Sequence, residues 1–116
     1  IGKFKYKGKK IRERRKILNE AILLQKEGVF SIVLECIETS LAKEISKSLD
    51  IPTIGIGSSK YCDGQVLVID DLIGLNHTKI RFVKRFGNVK ADIKNSVFKF
   101  RKEVLNKKFP SKKYSY

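Results

Sequence analysis

Two apolar runs separated by a helix-length stretch constrain the fold of this chain more than any other feature. The first run covers residues 29–35 and ends on the carboxylate of Glu35, and the second covers residues 51–57 and ends in glycines. Strands buried on both faces are almost continuously apolar, and parallel strands need a crossover of about a dozen residues between them. Residues 39–49 fill that interval with the apolar spacing of a helix. The pattern predicts a buried parallel βαβ unit and therefore an α/β fold.

The flanking segments extend this unit at both ends. Residues 11–27 have an apolar face at helical spacing, and Gly28 is a typical stop signal after a helix. Residues 65–69 predict a third short strand, and residues 79–86 and 89–106 predict two further helices. Successive strands with helical connections fit either a doubly wound sheet or the last part of a (β/α)₈ barrel. In both folds the ligand binds at the carboxyl ends of the strands.

The charge of the chain raises the question of a polyanionic partner. The sequence has 26 Lys and Arg residues against 12 Asp and Glu residues, a formal charge of +14. Such a charge is compatible with binding to nucleic acid or to an anionic membrane surface. The lysines are spread along the chain, however, and no aromatic-interleaved motif of an RNA-binding sheet lies between them. The distribution favours a solvated, lysine-rich surface.

Cysteine usage and hydropathy indicate the compartment. Cys36 and Cys62 are too few for a disulfide framework and lack the C-x-x-C spacing of a redox or zinc motif. No apolar stretch approaches the roughly 18 residues of a membrane span. We therefore expect reduced thiols and a cytoplasmic protein, without a zinc site or membrane association.

Glu35 is the candidate for acid–base chemistry, because an apolar strand delivers its carboxylate to the carboxyl end of the sheet. An ion-paired structural carboxylate explains its position equally well. The glycine-rich turn at residues 55–59 is either an anion-binding loop or, more simply, a tight turn with close backbone approach. Ile56, Val66 and Val68 occupy matching positions on two adjacent predicted strands, so they either form an apolar wall facing inward or belong to the core.

Two further polar features read as structural. Asp70 and Asp71 precede a helical segment, where acidic residues usually act as caps, and adjacent carboxylates on a strand would point to opposite faces. His77 is the single histidine and has no Ser or Cys motif around it, so we expect a surface loop and no nucleophilic triad.

The motifs also form one ordered set. Along the chain they read G-V-F-S-I-V-L-E-C, L-A-K-E-I, I-P-T-I-G-I-G, D-G-Q-V-L-V-I-D-D-L-I-G and R-F-V-K-R-F. Together they resemble the C-terminal half of the ketopantoate hydroxymethyltransferase family. That resemblance implies the C-terminal portion of a (β/α)₈ barrel of the phosphoenolpyruvate-mutase-like superfamily, incomplete in this chain. Residues 1–110 would form half of one catalytic domain, and residues 111–116 a mobile basic tail.

The resemblance also implies a reaction and its cofactors. The family transfers a hydroxymethyl group from methylene-tetrahydrofolate to 3-methyl-2-oxobutanoate in pantothenate biosynthesis, with Mg²⁺ holding the keto acid. Glu35 matches the general base, and Ile56, Val66 and Val68 would face the isopropyl group of the substrate. The metal ligands of the family lie upstream, so we expect none in this chain. A homo-oligomer is the expected assembly.

The sequence departs from the family pattern at several positions. Ser58 and Ser59 stand where the family has Ala-Gly, and Glu38 stands where it has proline. A serine at position 59 is costly if that position needs a positive φ.

The chain begins at Ile1 and has no methionine, so we expect it to be a piece of something longer, or to work with a separate N-terminal half. Alone it should neither bind Mg²⁺ tightly nor turn over. Two alternatives stay open, a non-catalytic remnant that acts as an assembly subunit and a basic nucleic-acid-binding module that reuses the fold.

Overall fold

The structure, a computed structural model, describes residues 5–76 and 79–116. The chain divides into two compact units, the first with residues 1–68 and 79–83 and the second with residues 69–78 and 84–116. The first unit contains α1 (Ile11–Lys26), β1 (Ile32–Glu35), α2 (Thr39–Ser48), β2 (Thr53–Ile56) and β3 (Gly64–Gln65), and the second contains α3 (Ile69–Leu72), α4 (Val89–Leu105) and a 3₁₀ turn (Lys112–Tyr114).

The sheet of the first unit is parallel, in the order β1-β2-β3. In its register Ile32 pairs with Thr53 and Glu35 with Ile56. Gly55 pairs with Gln65 in the third strand. The predicted α/β class is therefore confirmed, with a helix crossover between the first two strands.

The two faces of this sheet differ in burial. Ile32 and Leu34 are buried, whereas the intervening Val33 is 59% exposed. Because side chains alternate along a strand, β1 has one face packed on helices and one open face. The packed face lies in the core formed with α1 and α2, in which Leu41 and Ile45 are fully buried. Packed around this core are further apolar side chains, namely Ile17, Leu18, Ile22, Val29, Ile37 and Ile51.

Glu38 caps α2 through its side chain. Its carboxylate accepts hydrogen bonds from the N–H groups of Ser40 and Leu41, both at 3.0 Å. Arg14 of α1 donates to Glu38 Oε2 at 2.9 Å and to Glu44 Oε2 at 2.8 Å, so the same cluster joins α1 to α2. Hydrogen bonds from Ser40, then from Leu41 and Arg14, lower the pKa of Glu38 from 4.5 to about 2. Glu38, which stands where the family pattern has proline, thus provides the N-terminal cap of α2.

The prediction of a strand over residues 65–69 is wrong in extent. Only Gly64 and Gln65 belong to β3, although Val66 N–H still donates to Gly55 O at 3.0 Å. The reason lies in β2, which ends at Ile56, after which Gly57 turns the chain with a φ of +63°. Residues beyond Val66 therefore have no further partner in β2.

The prediction of a helix over residues 79–86 is also wrong. This segment has one turn, closed by the Val83 N–H bond to Ile80 O at 3.1 Å. Phe86 and Gly87 instead donate their N–H groups to Leu72 O, at 2.8 and 3.2 Å. Bonding to α3 replaces the local bonds that a helix would need.

The second unit is mostly exposed. None of the residues of α4 is buried, and exposed apolar side chains recur along it at Ile93, Val97 and Phe100. Near the chain end, the Phe109 ring lies 5.5 Å from Phe100 and 6.2 Å from Tyr114, measured between centroids. The single barrel domain over residues 1–110 and the mobility of residues 111–116 stay predictions.

The position predicted for His77 lies outside the described residues. Within the described ranges, no helix combines the length and the hydropathy that a membrane span requires.

Candidate active site at the carboxyl ends of the strands

Glu35 is the last residue of β1, and its side chain is exposed. It has the parity of Val33, so it projects from the open face of the sheet rather than toward α1 and α2. Its partner in the register is Ile56, the last residue of β2. The structure therefore brings the candidate carboxylate and one predicted substrate contact to the same edge and face of the sheet.

The turn after Glu35 has an unusual backbone. Cys36 has a φ of 51°, in the left-handed region that side chains other than glycine rarely adopt. Its N–H donates to Ile56 O at 2.9 Å, and its carbonyl accepts from Lys7 N–H at 2.8 Å. Lys7 O in turn accepts from Glu38 N–H at 2.8 Å. The turn is thus held from β2 on one side and from the N-terminal segment on the other.

The side chain of Cys36, the residue that follows Glu35, is buried. Burial is the larger cause that raises the pKa of the Cys36 thiol, and the charge of Glu35 is the smaller one. Both effects favour the protonated thiol, and because the side chain is buried, Cys36 acts as a packing residue here.

The loop that follows β2 makes a tight turn. Gly57 has a φ of +63°, and a Cβ at this position would lie 2.6 Å from the Phe82 ring. Both observations agree with a glycine retained for close backbone approach. Ser59 is absent from the described non-glycine residues with positive φ, which are Cys36 and Lys107. The replacement of glycine by Ser59 therefore causes no backbone strain.

Ser58 joins this loop to the end of β1. Its hydroxyl donates to Leu34 O at 2.6 Å and accepts from Ile37 N–H at 3.0 Å. In addition, Thr39 Oγ1 donates to Ser58 O at 3.4 Å. No local sequence pattern indicates this bridge, because its two backbone partners are 24 and 21 residues away along the chain.

Strand pairing positions only some of the residues of the predicted apolar wall. Ile56 is half-buried at the end of β2. The pairing of Gln65 with Gly55 gives Val66 the parity of Ile56, whereas Val68 follows the end of β3 without strand pairing. Val66 is 47% and Val68 52% exposed, so neither is a core residue in this chain.

Two carboxylates that follow β2 in the sequence, those of Asp63 and Asp71, accept hydrogen bonds from neighbouring residues. Asp63 accepts from Thr53 N–H at 2.8 Å and from the Thr53 hydroxyl at 2.9 Å, and these bonds lower the pKa of Asp63. Asp71 is buried and accepts from Asn76 Nδ2 at 3.0 Å. Asp70 and Asp71 lie in the first turn of α3 rather than before it. The contact of Asp71 therefore fits a structural role for this residue.

The described part of the chain, residues 5–76 and 79–116, contains no group of three or more His, Cys, Asp or Glu side chains that could hold a metal ion. The described residues by themselves therefore offer no cluster of three such ligands to a Mg²⁺ ion.

Comparison with known proteins identifies the family of this chain. A sequence model described as ketopantoate hydroxymethyltransferase matches residues 1–112. The chain belongs to the ketopantoate hydroxymethyltransferase family. The resemblance predicted from the ordered motifs is confirmed, and the parallel sheet with its helices is what part of a (β/α)₈ barrel contains.

Several curated relatives carry the name 3-methyl-2-oxobutanoate hydroxymethyltransferase. The relative from Pelagibacter ubique (strain HTCC1062) is 61% identical over 113 residues, which cover 97% of this chain and 44% of the relative. That from Clostridium botulinum (strain 657 / Type Ba4) is 47% identical over 117 residues, covering 100% and 42%. That from Thermosipho melanesiensis is 46% identical over 117 residues, covering 100% and 44%. The chain thus spans less than half the length of these members of the family.

Proposed function

We propose that the native polypeptide containing this chain transfers a hydroxymethyl group from methylene-tetrahydrofolate to 3-methyl-2-oxobutanoate, with Glu35 as the general base. The observation that carries the proposal is the exposed carboxylate of Glu35 on the open face of the sheet, at the end of β1, in a chain of this family. Strand ends of this kind hold the catalytic groups of (β/α)₈ barrels.

The chemistry assigned to this chain is a proton transfer. The Glu35 carboxylate takes the proton from the carbon next to the keto group, and the electron pair of that C–H bond forms the enolate. The enolate carbon then forms a bond to the one-carbon unit as one of the two bonds from that unit to folate nitrogens breaks. The oxygen of a water molecule replaces the second folate nitrogen on that unit, and the proton taken by Glu35 and one proton of the water pass to the two nitrogens, which gives ketopantoate and tetrahydrofolate.

The residues of the predicted apolar wall set the proposed substrate preference. Ile56, the register partner of Glu35, together with Val66 and Val68, would contact the isopropyl carbon atoms of the keto acid. An apolar contact of this kind favours a branched chain by excluding water from it.

Mg²⁺, which the family resemblance implies, would polarise the keto group when bound. The family resemblance implies metal ligands upstream of this chain, so we assign them to residues outside it, in the same polypeptide or in a separate N-terminal half. We accordingly propose that residues 1–116 alone are inactive. Measurable ketopantoate formation by the purified 116-residue chain would contradict this assignment.

The proposal also covers the compartment and the assembly of the enzyme. A soluble metabolic role is in keeping with a cytoplasmic protein, and we propose a homo-oligomer as its assembly. Small-molecule partners, the keto acid and the folate, account for the site without a nucleic-acid ligand.

The decisive test is Glu35→Gln in the native polypeptide. Deuterium exchange at the carbon next to the keto group, followed by NMR, should fall by about a hundredfold or more, since a positioned general base contributes about 10²–10⁴. Glu20→Gln is the matched control, because Glu20 lies on α1 and has only a 3.7 Å contact with Lys16. Wild-type exchange in Glu35→Gln would exclude Glu35 as the base.

A further inference from the structure

Lys43 and Lys60 place their ammonium groups over the ring of Tyr61. Lys43 Nζ lies 4.2 Å from the ring centroid, and Lys60 Nζ lies 5.4 Å from it. Lys43 belongs to α2 and Tyr61 to the loop after β2, so their contact joins two separate elements. The other lysine–ring contacts in the described part of the chain join near neighbours in the sequence, Lys84 with Phe86 and Lys113 with Tyr114.

Neither of these two ammonium groups is neutralised by a carboxylate of the described residues. The ion pairs within residues 5–76 and 79–116 all involve Arg14 or Lys16. Lys43 is half-buried and Lys60 exposed, so both remain open to solvent. Two positive charges held over one ring repel each other, and an anion bound between them would remove that repulsion. The cluster therefore has the charge and the access of an anion-binding site.

The cluster lies next to the strand ends that include Glu35. α2 begins at Thr39, shortly after the turn that follows Glu35, and Lys43 is about 6 Å further along the helix at 1.5 Å per residue. Thr39 Oγ1 donates to Ser58 O at 3.4 Å, which joins the loop after β2 to the start of α2. Tyr61 belongs to the same loop. An anion at its ring would therefore lie at the rim of the proposed active site, outside the reacting centre.

A folate has negative charge at the end that would reach this rim. In methylene-tetrahydrofolate, two nitrogen atoms hold the one-carbon unit, and the glutamate with its carboxylates lies at the opposite end of the molecule. Each additional glutamate adds a further carboxylate there. Lysine ammonium groups bind carboxylates through charge-assisted hydrogen bonds, and a tyrosine hydroxyl can donate one more. With the one-carbon unit near Glu35, the glutamate end points away from the reacting centre.

We propose that Lys43, Lys60 and Tyr61 bind the glutamate carboxylates of the folate. The inference rests on the proposed function and adds to it the site that holds the far end of this substrate. The Tyr61 ring keeps the two ammonium groups close to each other, and the carboxylates neutralise them. The site contributes affinity and takes no part in the proton transfer, so the reaction of the family does not depend on it.

The test compares methylene-tetrahydrofolate with one and with three glutamates on the native polypeptide. In the wild type, the KM of the triglutamate form should be about fivefold to tenfold lower. Lys43→Gln combined with Lys60→Gln should remove most of that preference, because one exposed charge pair is worth about twofold to fivefold in affinity. The kcat for deuterium exchange on 3-methyl-2-oxobutanoate, measured without folate, should stay at the wild-type value.

Matched variants separate this site from the net charge of the chain. Lys26→Gln combined with Lys99→Gln removes two charges from exposed lysines of α1 and α4, and it should leave the preference unchanged. Lys43→Arg combined with Lys60→Arg keeps both charges and should keep the preference. Tyr61→Leu leaves the charges but removes the ring that holds them together, so it should reduce the preference by about twofold.

The outcomes distinguish the site from the proposed function. Equal KM values for the two folates in an active wild type would overturn the site and leave the role of Glu35 intact. Equal loss of preference in the Lys26 and Lys99 control would also overturn it, since net charge would explain both. A wild type without deuterium exchange would overturn the proposed function. Calorimetric binding of tetrahydrofolate would then decide the site, because equal affinity for its monoglutamate and triglutamate forms would overturn it.

Discussion

Helices α2 and α4 form from similar amphipathic sequence but end in different environments. α2 has 10 residues, of which Leu41, Ala42 and Ile45 are buried. α4 has 17 residues, none of them buried, although Ile93 and Val97 lie four residues apart as a helical apolar face requires. The difference teaches that apolar spacing predicts both of these helices, while their burial depends on neighbours that the spacing does not specify.

Removal of one isoleucine from each helix should give the largest difference in stability between α2 and α4. Ile45→Ala in α2 should lower the free energy of unfolding of the chain by about 2–5 kcal/mol, the range for a fully buried isoleucine. Ile93→Ala in α4 should change it by about 0.5 kcal/mol or less, because that side chain is 52% exposed. Urea unfolding followed by circular dichroism measures both. Equal losses would show that α4 is covered in solution.

The caps offer a smaller test of the same contrast. The Glu38 side chain caps α2, whereas Asn88 at the start of α4 makes no side-chain cap hydrogen bond. Glu38→Ala should reduce the free energy of unfolding by about 1 kcal/mol, the usual value of a lost cap, and Asn88→Ala by clearly less. The urea midpoints of the two variants give the comparison, and a larger effect at Asn88 would contradict it.

The pH dependence of Glu38 sharpens the account of α2 further. The pKa of its carboxyl is lowered from 4.5 to about 2 in the folded chain, so folding favours the ionised form. Its contribution to stability is therefore complete above about pH 4.5 and is lost as the pH falls toward about 2. The difference in unfolding free energy between wild type and Glu38→Gln should shrink across this window. A difference that stays constant with pH would show that ionisation of Glu38 does not matter.

The accuracy of the sequence predictions follows the same division between local pattern and tertiary neighbours. β1, β2, α1 and α2 were predicted because continuous apolar runs and helical spacing are local signals. The third strand was extended too far because its length depends on where β2 ends. The prediction of a helix over residues 79–86 is wrong because hydrogen bonds from Phe86 and Gly87 to Leu72 O replace the local hydrogen bonds of a helix.

The site divides in the same way. The placement of Glu35 at a strand end could be predicted, since the end of an apolar run marks it. The bridge from Ser58 could not, because it joins two loops that meet only when β1 and β2 pair. The Glu38 cap with its Arg14 partner escaped prediction for a related reason, as Arg14 is 24 residues away.

Backbone hydrogen bonds join Lys7 to the turn after β1. Because of how this segment is held, position 7 can vary in sequence, whereas the adjacent position 8 cannot. Lys7 contributes only its N–H and carbonyl, and its side chain is exposed, so almost any residue except proline can stand there. Gly8 has a φ of +88°, and a Cβ on it would collide with Leu41. Natural variants of this chain should therefore differ freely at position 7 and keep glycine at position 8.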